Sequence, residues 1–143
     1  MKTIYKNQFV EVFFDEKNAL LIDVWTQKTE NLSKEGFKEL LLDWKNLAED
    51  HKIRFALTNL KAFALPMTPE LQDWTVENIT KPLCEKGYYT RHAFVMPEEF
   101  IAQLAIEQFA EETDTNASPT RYFGDEEEAK SWVLDGKLES ITK

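Results

Sequence analysis

Side chains able to make or break bonds are few in this chain of 143 residues. The histidines are His51 and His92, the single cysteine is Cys84, and the serines are Ser33, Ser118, Ser131 and Ser140. A hydrolase serine needs a sharp strand-to-helix turn such as Gly-x-Ser-x-Gly, and no serine here has that setting. The two histidines are far apart and form no His-x-x-x-His pair, so zinc has little to bind. His51 lies in the polar stretch Glu49-Asp50-His51-Lys52, where a solvated turn is expected. His92 follows Arg91 at a strand start and is expected to be structural rather than a base. One cysteine excludes an intrachain disulfide. Glu85 and Lys86 bias the thiol in opposite senses, so Cys84 is expected to be inert and semi-buried. Four glycines are too few for a phosphate-cradling loop. Glu126-Glu127-Glu128 suits a helix start and a solvated face rather than a metal site. The expectation is therefore a protein that is not an enzyme and that uses no cofactor and no metal.

Binding has better candidates. Trp25, Phe63, Met67 and Trp74 are apolar side chains placed to line a patch, with Thr58, Asn59 and Thr68 as its polar groups. The loop Lys61-Ala62-Phe63-Ala64-Leu65-Pro66-Met67 leaves the C-terminal end of an expected strand, and crevices of open α/β sheets lie beyond such ends. Trp74 sits among Gln72, Asp73, Thr75, Glu77 and Asn78, which suggests partial exposure. The blander alternatives are a loop that folds back over the sheet edge, or a homodimer seam. Trp44 and Trp132 lie on apolar helix stripes and are expected in the core.

Charge narrows the partners. The formal net charge is −9, which repels nucleic-acid phosphates and anionic membrane surfaces. Residues 97–143 hold 12 acidic against 4 basic side chains, so the excess lies in the C-terminal third. That third is either a solvated face or a docking surface for a basic partner. No apolar run reaches 18 residues, so no integral membrane segment is expected. The first residues lack a signal-peptide core, which points to the cytoplasm.

These side chains must be positioned by a fold. Hydrophobic residues form 43% of the chain and aromatics 13%, enough for a real core in a domain of this size. Phe9 to Phe14 and Ala19 to Trp25 flank the polar turn Asp15-Glu16-Lys17-Asn18 and read as a hairpin, the second strand buried on both faces. Thr26 to Leu32 reads as a polar loop. Ser33 caps a helix to about Asp50, with Phe37, Leu40, Leu41, Trp44, Leu47 and Ala48 as one apolar stripe. Ile53 to Leu60 is a strand. Thr68 and Pro69 open a second helix, expected to end near Thr80 because Pro82 and Gly87 follow. Arg91 to Met96 is a strand, Pro97 opens a third helix, and Thr120 to Phe123 is a short strand. Asp125 and Glu128 start a last helix buried through Ala129, Trp132 and Val133. The tail from Gly136 is expected to fray. The order β-β-α-β-α-β-α-β-α implies a single α/β domain with about four helices. Its sheet is expected to be five-stranded and mostly parallel, with an antiparallel edge strand.

The pattern resembles the STAS-like family, in its SpoIIAA-like branch of small bacterial proteins, over roughly residues 5–134. The residues that carry the likeness are Trp25, Phe55-Ala56-Leu57-Thr58-Asn59-Leu60, Thr68-Pro69-Glu70-Leu71-Gln72-Asp73-Trp74, His92-Ala93-Phe94-Val95, and Arg121 to Ala129 leading to Trp132. The resemblance implies a regulatory domain that binds a protein partner, here through loop and helix 61–80. In typical members a partner kinase phosphorylates a Ser or Thr at the start of the second helix, which makes Thr68 the candidate phospho-acceptor. The usual Asp-Ser pair is missing, and Thr58-Asn59 ends the preceding strand. The family also resembles CRAL-TRIO lipid-carrier domains in fold. That implies an alternative role as carrier or sensor of a small apolar or lipid-like ligand.

Overall fold

The computed structural model describes residues 1–65, 68–88, 90–97 and 120–135. Met67, the body of the helix expected after Pro97 and the tail from Gly136 lie outside the described residues.

Among the described residues, six strands form one mixed sheet: β1 (Lys2–Lys6), β2 (Val10–Asp15), β3 (Leu20–Trp25), β4 (Phe55–Asn59), β5 (Arg91–Val95) and β6 (Thr120–Phe123). Their order in space is their order in the chain. β1, β2 and β3 pair antiparallel, and β3 through β6 pair parallel. The helices among the described residues are α1 (Lys34–His51), α2 (Pro69–Thr75), α3 (Lys81–Glu85) and α4 (Glu126–Asp135).

Because strand side chains alternate, each face of the sheet collects its own core. Leu21, Trp25 and Ala56 pack with Phe37, Trp44 and Ala48 of α1, Leu71 of α2 and Leu83 of α3. Leu20, Ile22, Leu57, Ala93, Val95 and Phe123 pack on the other face with Ala129, Trp132 and Val133 of α4. The unbroken run Leu20-Leu21-Ile22 follows from this, since β3 is covered on both sides.

The α/β class is as expected, and three details are corrected. First, the described residues give the sheet six strands, not five, and the antiparallel edge is β1. The register of β1 against β2 shifts between Thr3 and Tyr5. That bulge breaks the alternation and lets the consecutive Ile4 and Tyr5 both reach the core under α1. Tyr5 also donates its hydroxyl to Asp43 Oδ2 of α1 at 3.2 Å. An edge strand buried only in part carries no clear period-two signal. Second, Thr26 to Leu32 is not a plain loop. Thr26 caps a 3₁₀ turn over Gln27–Asn31.

Third, the helix opened by Pro69 does not stop near Thr80. It widens into a π turn over Val76–Thr80, where the Lys81 N–H reaches the Val76 carbonyl, and then continues as α3. A proline in a regular helix clashes with the carbonyl four residues back, and the wider turn before Pro82 relieves that clash. The real stop is Gly87, at φ +76°. Its N–H bonds to the Cys84 carbonyl at 3.0 Å and the Tyr88 N–H to the Leu83 carbonyl at 2.9 Å, the double bond pattern of a Schellman stop.

Candidate functional site

β3, β4 and β5 lie side by side in register, with Asp23 beside Thr58 and Thr58 beside Phe94. Asp23, Thr58 and His92 all project from the face covered by α1. Asp23 is 2% exposed, so its carboxylate has left water almost entirely. Its donors come from three elements. The Trp25 indole donates from β3 to Oδ2 at 2.8 Å. The Trp44 indole donates from α1 to Oδ1 at 3.2 Å. The Thr58 hydroxyl donates from β4 to Oδ1 at 3.0 Å. Thr58 Oγ1 also lies 2.8 Å from Nε2 of His92. With the hydroxyl hydrogen committed to Asp23, His92 must donate from Nε2, which fixes its tautomer.

Burial dominates the electrostatics. It pushes the Asp23 carboxyl up to about 7, while the bonds from Trp25, Thr58 and Trp44 pull the other way. Burial likewise holds the His92 imidazole down at about 3, so the ring is neutral near pH 7. His92 is stacked between Trp44, with ring centroids 6.0 Å apart, and Phe94, at 4.2 Å. Among the described residues no three His, Cys, Asp or Glu side chains converge as a metal site. No helix among them is long and apolar enough to cross a membrane.

The expected patch is brought together in part. Trp25 is buried rather than surface-lining, and its ring meets Phe37 at 5.4 Å and Phe63 at 5.7 Å. Thr58 is buried in the polar cluster and faces inward. Asn59 projects to the opposite face of the sheet, where its amide donates to Glu126 of α4 at 3.2 Å. Phe63 is half-buried and anchors the loop. Thr29 holds that loop in place: its hydroxyl donates to the Thr26 carbonyl and accepts from the Ala64 N–H, each at 2.8 Å. Thr68 caps α2, its Oγ1 accepting from the Leu71 N–H at 3.2 Å. Trp74 is half-buried, with Lys38 Nζ of α1 5.4 Å from its ring centroid.

No family model, curated protein or solved structure matches this chain.

Sequence reasoning missed Asp23, Trp44 as a donor, and Thr29. The one signal for Asp23 was a charge inside a strand expected to be buried on both faces. Trp44 is a core residue as expected, and only its indole N–H distinguishes it from a packing residue. His92, expected to be structural rather than a base, is buried as a member of a polar chain. His51 is not in a solvated turn: it ends α1, bonds through Nδ1 to the Leu47 carbonyl at 2.9 Å, and lies 4.8 Å from the Phe14 ring. Cys84 is half-buried, as expected.

Proposed function

We propose that the chain is a regulatory domain of the STAS-like type that works by contact, docking a protein partner through residues 61–80. The observation that carries the reading is the outward side of α2 and its π turn. Val76 is 43% exposed there, among the exposed Gln72, Asp73 and Glu77, beside the half-buried Trp74. A large apolar side chain ringed by polar ones is the usual make-up of a contact surface. Phe63 and Leu65 root the loop in the core, and Lys38 of α1 lies over the Trp74 ring. Thr68, engaged as a helix cap, is the position where phosphate would change the charge of this surface.

A photo-crosslinking residue at position 76, compared in cells with one at position 46 on α1, tests the reading. The expected result is an adduct with a different protein from position 76 and none from position 46. An adduct only with a second copy of this chain makes the surface a dimer seam. Equal labelling from both positions refutes docking through 61–80.

A further inference from the structure

We propose that the seam between α1 and the segment from α2 to α3 receives an acidic amphipathic helix of another protein, held by Lys38 and Lys45 on either side of Leu42.

The seam is fixed at both ends. At one end Lys38 Nζ of α1 lies 5.4 Å from the Trp74 ring centroid. At the other, Lys86 Nζ, just past α3, is 3.0 Å from Glu49 Oε2 of α1. Lys38, Leu42, Lys45 and Glu49 recur at i, i+4, i+7 and i+11, so they lie along one side of α1. The two end contacts identify it as the side turned to α2 and α3. About 16 Å of helix rise separates Lys38 from Glu49, or three turns.

Between the ends the fold leaves side chains unused. Leu42 is 41% exposed, whereas the other large apolar side chains of α1 are buried or half-buried. Lys45 is half-buried, so part of its stem is covered while its ammonium gains no partner. Among the described residues, neither Lys38 nor Lys45 has a carboxylate within ion-pair distance, while Glu49 is bonded to Lys86 and Glu77 to Lys81. The paired charges cancel. Two cations about 10 Å apart along the helix remain, with a leucine between them.

Charge chooses the occupant. A helix lying along the seam meets the lysines with carboxylates at i and i+7, and meets Leu42 with an apolar side chain at i+3 or i+4. That is the anchor spacing of helix-in-groove recognition. Glu35 and Glu39, exposed further out on α1, repel an acidic partner that slides off the lysines. A second copy set face to face brings lysines against lysines, which disfavours a two-fold seam. The approach is open to an acidic partner, because residues 1–96 hold 13 basic against 14 acidic side chains and the acidic excess lies beyond them.

Nitrogen-15 NMR of the full chain with alanine-based helical peptides of about 15 residues tests the proposal. One set carries Glu, Leu and Glu at i, i+4, i+7 or at i, i+3, i+7, and the other carries Lys in place of Glu. The Glu peptides should move the amide signals of Lys38, Leu42 and Lys45 and the Trp74 indole. They should bind at least about fivefold more tightly than the Lys peptides and weaken with added salt. Lys38→Glu combined with Lys45→Glu should pass the preference to the Lys peptides. If that double variant does not fold, Lys45→Glu alone reads the same change on a smaller scale. No movement at those residues with millimolar peptide, equal binding of both sets, or a preference that survives charge reversal overturns the proposal. Signals there that change on dilution without peptide give the seam to a second copy and overturn it as well. Positions 76 and 46 lie on other faces, Val76 on the outward side of α2 and Asn46 about 100° round α1 from Lys45, so docking through 61–80 and binding in the seam fail separately.

Discussion

Asp23 makes stability depend on pH in a sense opposite to most carboxylates. Its folded value of about 7 lies above the ordinary 3.8, so the folded protein holds this proton more tightly than the unfolded chain does. The contribution is fully present in acid, falls as pH rises between those two values, and is flat above the upper one. At about 1.4 kcal/mol per pH unit, the whole effect is on the order of 4 kcal/mol. Roughly 2–3 kcal/mol of it falls between pH 5 and pH 8. The three donated bonds are stronger to the ionised form, yet the cost of holding that charge out of water exceeds them. Urea unfolding of the wild type and of Asp23→Asn at several pH values isolates the effect, because other titrating groups cancel in the difference. With a slope of about 1–3 kcal/mol per molar urea, the gap between the two midpoints should close or reverse by roughly 1–3 M across that range. The wild type should lose ground to the variant as pH rises. A difference that stays constant with pH, or that grows in favour of the wild type, refutes the claim that desolvation outweighs hydrogen bonding at Asp23.

Other substitutions probe single links. Trp132→Ala removes a side chain only 4% exposed between α4 and the sheet, and should cost roughly 3–5 kcal/mol in urea unfolding. Trp74→Ala should leave circular dichroism and the urea midpoint nearly unchanged, losing about 0.5–1 kcal/mol with the Lys38 contact; loss of the folded spectrum would make Trp74 a core residue. Lys52 closes α1 at φ +51°, a conformation costly for any residue with a Cβ, so Lys52→Gly should raise stability by up to about 1 kcal/mol in thermal unfolding.

The sequence by itself determined what local physics controls. The apolar stripe of α1, the caps Ser33 and Thr68, the hairpin of β2 and β3 and the β/α alternation all follow from side chains within a few turns of one another. Tertiary structure decided the rest. β1 exists because β2 offers it an edge and α1 covers Ile4 and Tyr5, a condition absent from Lys2 to Lys6 alone. The helix passes Pro82 because packing of Ile79 and Leu83 rewards a widened turn that propensity disfavours. The polar cluster was hidden for the same reason: Thr58 meets Asp23 across 35 residues and His92 across 34. Asp23 is the lone charge in an apolar strand, while Thr58 adjoins Asn59 and His92 adjoins Arg91 at strand ends. Only strand register makes them neighbours, and only burial turns an ordinary carboxyl into one that holds its proton near neutrality.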